Sequence, residues 1–78
     1  MNVLQLKARE RAKVTHIAAN EKAKNRLYML NVYAGAQVTL VRRAPFGGGV
    51  MLEAGGVRLA LGKKLAEKIS VEQERADG

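Results

Sequence analysis

Apolar and polar residues alternate through the second half of the chain. In the segment 36–44, Val38 and Leu40 share one face, and the segments 50–54 and 57–61 show the same period of two. Successive side chains of a β-strand point to opposite faces of a sheet, so this period predicts three strands.

Turn residues separate these strands. Pro45 cannot donate a backbone hydrogen bond to a sheet, and the run Gly47–Gly49 permits almost any turn. Gly55-Gly56 indicates a two-residue hairpin, because glycine tolerates the positive φ of the favoured turns. The glycine run also invites a phosphate-loop interpretation. No lysine–hydroxyl pair closes it and no helix pattern follows, so we interpret it as a turn.

The first half of the chain predicts a strand followed by a helix. The segment 12–19 is rich in β-branched residues, which suit a strand. Asn20 is suited to cap a helix over 21–30. The apolar residues of this helix recur at spacings of four and three, at Ala23, Leu27 and Leu30. Its outer side is basic.

The end of the chain completes a small, mainly β fold. Residues 63–68 predict one helical turn, and Ile69 and Val71 predict a brief last strand. Five short strands with one inserted helix predict a partly open β-barrel, which leaves few exposed strand edges. We expect a single domain over 1–78, with a core at about 7–72 and a flexible tail at 73–78. The expected inward-facing set is Val14, Ile17, Leu27, Leu30, Val38, Leu40, Val50, Leu52, Val57, Leu59, Leu61, Leu65, Ile69 and Val71.

The net charge of +7 is concentrated in one part of the chain. Through Arg43 there are nine basic residues against Glu10 and Glu21, and from Ala44 onward the two signs are equal in number. Such an excess can attract an acidic protein surface, an anionic lipid or a nucleic acid. It can also be a solvated surface that keeps a small domain dispersed.

Composition argues against secretion and membrane insertion. The chain has no cysteine, which excludes disulfides and thiolate metal sites and fits a reducing compartment. The longest apolar stretch, 27–36, is interrupted by Asn31 and is far shorter than the ~20 residues of a membrane-spanning helix. The first residues lack the apolar centre of a secretion signal. We therefore expect a soluble, cytoplasmic protein without direct membrane insertion.

Candidate catalytic and metal-binding chemistry is scarce. His16 is the only histidine, and we interpret it as a half-exposed strand residue rather than a metal ligand. No serine or threonine has both a base and an orienting carboxylate, since no aspartate precedes Asp77. We expect no catalytic residue, no metal site and no cofactor. The chain is therefore not expected to be an enzyme.

One ordered set of residues, spread along roughly 13–71, forms a recognisable pattern. It comprises Arg26-Leu27, Leu30, Gly35, Val38, Leu40, Arg43 to Gly47, Gly56, Leu59 to Leu61, Ala66 and Ile69 to Val71. This set resembles the ferrous iron transport protein A family. The resemblance implies an SH3-like β-barrel that serves as a small cytoplasmic accessory of the ferrous iron transporter protein B. That transporter is a membrane protein with a cytoplasmic GTPase domain. Related domains lie at the C-terminus of metal-dependent repressors.

The chain departs from the family pattern at three places. Asn31 and Tyr33 replace the usual leucine and glycine, and Gly48-Gly49 replaces an aspartate and proline. The strand that usually ends in arginine ends here in Gly62-Lys63.

Our candidate partner-binding residues are Lys22, Arg26, Arg42, Arg43 and Phe46. Arginine can hold a carboxylate with two hydrogen bonds, and an exposed phenylalanine can anchor an interface. Phe46 can alternatively fold back over the barrel mouth as core, and the sequence leaves both open. By the resemblance, we expect these residues to bind the cytoplasmic GTPase region of transporter protein B or a similar protein. The chain would then lie peripherally at the inner membrane through its partner.

Two other functions remain as alternatives. A basic small barrel can bind nucleic acid, but only three aromatic residues are present, and Tyr28 and Tyr33 lie in or near the helix. A metal-responsive regulatory domain, acting in trans or as a weak homo-oligomer, is the other alternative.

Overall fold

The computed structural model describes residues 1–74 of the chain. Five strands and two α-helices follow one another, with a short 3₁₀ turn near the N-terminus and another between the second and third strands. Their bounds are Val3–Gln5 (3₁₀), β1 Arg11–Ile17, α1 Glu21–Met29, β2 Gln37–Arg43, Pro45–Gly47 (3₁₀), β3 Val50–Ala54, β4 Val57–Leu61, α2 Lys63–Ala66 and β5 Ile69–Gln73. Each predicted strand and helix is present, with ends that differ by at most two residues.

The five strands form one antiparallel sheet in the order β4-β3-β2-β1-β5. β1 pairs with β2 through its first three residues and with β5 along most of its length. A register shift between Val14 and His16 marks a bulge, which bends β1. The sheet stays open between β4 and β5, so the predicted mainly β, partly open barrel is confirmed. Within residues 1–74, no helix combines the length and apolarity needed to cross a membrane.

The core contains most of the predicted inward-facing residues. Its buried members are Val3, Leu6, Ala12, Val14, Ile17, Leu27, Val32, Ala36, Val38, Leu40, Val50, Leu52, Ala54, Leu59, Leu61, Ala66, Ile69 and Val71. Leu30 and Leu65 are half-buried against this core. The prediction for Val57 is wrong, because the residue is exposed. Val57 is the first residue after the hairpin turn, and it lies outside the core that the later residues of β4 contact.

An N-terminal segment outside the predicted core contributes to the hydrophobic core. Val3 and Leu6 are fully buried, so the core begins before residue 7. Asn2 and Gln5 form a capping box: the Asn2 side chain accepts from the Leu4 N–H, and the Gln5 side chain accepts from the Asn2 N–H. The Val71 N–H donates to the Met1 carbonyl at 2.8 Å, which holds the segment against β5.

The C-terminal strand is longer than predicted. β5 continues to Gln73, which pairs with Ala12, so the predicted tail cannot begin at residue 73. Residues 75–78 of that predicted tail lie outside the described residues.

Asn31 ends α1 in a left-handed conformation, with φ of 69°. The Asn31 N–H donates to Tyr28 and the Val32 N–H donates to Leu27, which together make a Schellman motif with asparagine in the usual glycine position. The Asn31 amide also donates to the Ala54 carbonyl at 3.2 Å. The C-terminal end of α1 is thereby attached to the end of β3.

Gly49 marks a close backbone approach between the β2–β3 connection and β4. Its φ is +120°, and a Cβ at this position would lie 2.1 Å from the Leu61 carbonyl oxygen. Real Cβ atoms do not approach an oxygen so closely, so only glycine fits here.

We expect Gly49→Ala to be strongly destabilising, because the change adds a backbone clash to the strain of a positive φ. Gly56→Ala is the matched control, since Gly56 also has a positive φ but no atom within 4 Å of the position that an added methyl group would take. The control should lower the free energy of unfolding by about 1 kcal/mol and Gly49→Ala by roughly 3 kcal/mol or more. Urea denaturation measures both. Equal losses would contradict the importance of the close approach.

Candidate partner-binding site

A β-bulge redirects the end of β2. Leu40 pairs with Leu52, but the next pair is Arg42 with Met51, so Val41 is an extra residue on β2. Bulges bend a strand and increase its local twist, and they can re-aim the side chains that follow. Here the bulge alters the course of β2 just before its two arginines, Arg42 and Arg43.

The chain beyond the bulge presents Phe46 to solvent. We call residues 42–49 the β2–β3 tip. Pro45 begins its 3₁₀ turn, and Phe46 follows with φ of 61° and ψ of 28°. This left-handed conformation costs a residue with a Cβ roughly 1 kcal/mol. Phe46 is fully exposed, at 105% of its reference area. The structure therefore decides the open question in favour of an exposed ring.

A shallow groove of about 270 Å³ lies at the base of the tip. Its lining is Arg42, Arg43, Ala44, Pro45, Val50, Met51 and Ala60. The floor is mostly apolar and the two arginines supply the charge. Met51 and Ala60 are cross-strand partners in the β3–β4 hairpin. The predicted two-residue turn at Gly55-Gly56 fixes that pairing, so this part of the groove could have been found from the sequence.

The two arginines of the tip differ in their contacts. Arg43 donates from Nη2 to the Leu6 carbonyl oxygen at 2.7 Å, and so ties the tip to the N-terminal segment. Arg42 is exposed. Neither guanidinium lies within ion-pair distance of a carboxylate in residues 1–74. Arg43 thus stabilises the fold as well as contributing charge, a role that the sequence did not reveal.

The structure does not bring Lys22 and Arg26 to the tip. Both are exposed on α1, whose C-terminal end contacts Ala54 through Asn31. The tip lies at the other end of β3, where Arg43 pairs with Val50. The length of β3, roughly 13 Å, separates these two ends. The five predicted residues therefore form two groups, and only Arg42, Arg43 and Phe46 lie together.

A separate pocket of about 230 Å³ lies between β1 and α1. His16 lines it together with Glu21, Tyr28 and Tyr33. The two tyrosine rings pack on each other, with centroids 5.3 Å apart. His16 is exposed, more so than predicted. In the described part of the chain, no cluster of three or more His, Asp or Glu side chains could hold a metal ion.

Comparison with known proteins identifies the family. The profile of the FeoA domain matches residues 1–73. The chain belongs to the FeoA family. The resemblance noted in the sequence is thus confirmed, and it extends to the N-terminal segment that the motif residues had not covered. No curated protein matches the chain.

Solved structures agree with this assignment. The FeoA protein from Chlorobium tepidum is 33% identical, with a TM-score of 0.90, and the match covers 100% of this chain and 74% of that one. FeoA from Stenotrophomonas maltophilia, solved with zinc and described as an SH3 domain protein, is 28% identical over 96% of both chains, with a TM-score of 0.74. The manganese regulator SloR is 15% identical over 95% of this chain and 34% of its own, with a TM-score of 0.78, and shows a shared fold. This FeoA-family chain therefore has the expected SH3-like fold, and its family is associated with ferrous iron transport.

We expect Arg43→Met to lower the free energy of unfolding by about 1.5 kcal/mol, since it removes a charged donor from the Leu6 carbonyl. Arg42→Met is the matched control and should stay within about 0.5 kcal/mol of the unchanged protein. Chemical denaturation of both variants checks this. Loss of stability in the Arg42 variant alone would refute the assigned role of Arg43.

Proposed function

We propose that this FeoA-family chain is a cytoplasmic accessory of ferrous iron uptake that docks through its β2–β3 tip on the GTPase region of transporter protein B. The contact modulates the transporter, and the chain itself catalyses no reaction. The observation that carries this proposal is the fully exposed Phe46 in a left-handed backbone conformation.

Phe46 lowers the stability of the isolated domain. The ring buries no apolar surface, while its backbone carries the strain of a positive φ. A glycine at position 46 would adopt the same backbone conformation without strain. An exposed aromatic ring that folding does not use is suited to fill a pocket on a partner, where burial of a phenylalanine contributes roughly 2 kcal/mol or more.

The charge of the tip indicates what the partner presents. Arg42 and Arg43 lie beside the apolar groove without a carboxylate partner in residues 1–74. An acidic rim around an apolar pocket would complement this arrangement, because arginine pairs well with carboxylates. The overall charge of +7 would also speed association with an acidic surface.

Nucleic-acid binding is less well supported by the placement of the aromatic rings. Stacking on bases requires several rings on one face. Tyr28 and Tyr33 instead pack on each other beside α1, and Phe46 stands alone at the tip.

Docking can be tested with the isolated cytoplasmic region of transporter protein B. Phe46→Ala should weaken its binding at least tenfold by calorimetry, because a buried aromatic anchor typically contributes about 2 kcal/mol or more. Met29→Ala is the matched control, as Met29 is an exposed apolar side chain on α1. The control should bind as the unchanged protein does.

A second substitution separates docking from folding. Phe46→Gly should raise the free energy of unfolding by about 0.5–1 kcal/mol by relieving the backbone strain, and it should abolish docking as well. If both Phe46 variants bind normally, the tip is not the contact. If Lys22→Glu and Arg26→Glu weaken binding instead, the contact surface is α1.

A further inference from the structure

A second pocket, of about 290 Å³, opens beside the β2–β3 tip. Its lining is Leu4, Arg43, Ala44, Gly47, Gly49 and Lys63. The lining contains two cations and no carboxylate. Phe46 does not line it, so this pocket is separate from the proposed docking anchor.

The two cations of the pocket have no acidic partner within the described residues. The ion pairs of residues 1–74 are Lys24 with Glu21 and Arg58 with Glu53, which leaves Arg43 and Lys63 without one. Arg43 uses Nη2 to hold the Leu6 carbonyl, but a guanidinium has five N–H donors. Most of its donors therefore remain available to a ligand.

One backbone donor of the tip also lacks an acceptor. The Gly49 N–H donates no hydrogen bond to any residue in 1–74. Gly49 is itself buried, and a buried N–H needs an acceptor. The close approach to the Leu61 carbonyl also restricts how far the Gly49 backbone can move.

We infer that this pocket binds a phosphate-type oxyanion. A tetrahedral oxyanion carries several acceptor oxygens, which can meet a lysine, an arginine and backbone amides of a glycine turn together. The sequence argued against a phosphate loop because no lysine–hydroxyl pair closes the glycine run and no helix pattern follows it. Lys63, on the far side of the β3–β4 hairpin, supplies that lysine in space.

Titration of the full chain with inorganic phosphate tests the inference by ¹H–¹⁵N NMR. Phosphate should produce saturable shifts at the Gly47 and Gly49 amides, and chloride at equal ionic strength should not. Lys63→Gln should weaken phosphate binding about tenfold, as loss of a charged hydrogen bond does. Lys64→Gln is the matched control, since Lys64 does not line the pocket, and it should bind as the unchanged protein does.

The source of the oxyanion is distinguished by sedimentation with phosphatidylglycerol vesicles. If the chain sediments with the vesicles, and if added phosphate and Lys63→Gln each abolish this co-sedimentation, the ligand is a lipid headgroup. If phosphate produces saturable NMR shifts but the chain does not sediment with the vesicles, the ligand is a free phosphate group. Shifts that grow linearly with salt, or that are unchanged in Lys63→Gln, overturn the inference. Phe46→Ala leaves the pocket intact, so failure of docking and failure of anion binding can be told apart.

Discussion

The position of the β2–β3 tip depends on the contact between Gly49 and the carbonyl of Leu61. The two backbones lie closer than any side chain would allow, because a Cβ at residue 49 would sit 2.1 Å from the Leu61 oxygen. The hairpin pairs Val50 with Leu61, and the contact continues this approach by one residue, placing Gly49 against the end of β4, directly before Gly62 and Lys63. As a result, residues from both sides of the hairpin line one pocket.

A second link fixes the tip from the N-terminal side. Leu6 is fully buried, and its carbonyl accepts a hydrogen bond from Arg43. Burial of the leucine side chain therefore also holds the arginine that ends β2. In a chain of 78 residues the core is small, so a segment that adds two fully buried side chains is a substantial part of it. Stability of the barrel and orientation of the tip thus share the same residues.

Local patterns were sufficient to predict the strands, the helices and a partly open barrel, whereas the SH3-like class came from the family resemblance; the arrangement of the site followed from neither. The period of two indicated the strands from β2 to β4, and Gly55-Gly56 indicated their hairpin, because both signals depend only on neighbouring residues. The capping box of Asn2 and Gln5 was also visible in the sequence and would have revealed the N-terminal turn. Long-range contacts left no such signal. The bulge at Val41 and the hydrogen bond from Arg43 to Leu6 both depend on how distant segments pack. The position of Lys63 near Gly49, in contrast, follows from the hairpin register, which pairs Val50 with Leu61.

The tip places two kinds of chemistry on one backbone turn. Phe46 exposes its ring to solvent, and the neighbouring Gly47 and Gly49 line a pocket together with Arg43 and Lys63. A flexible loop would have to be ordered on binding, at a cost of roughly 1–2 kcal/mol per residue. The Gly49 contact and the Arg43 hydrogen bond order part of the turn during folding instead. The strain at Phe46 is consistent with this preorganisation, since a strained backbone persists only where its surroundings hold it in place. In the proposed function, the SH3-like barrel acts as a rigid support for the short connection through which the chain would recognise its partner.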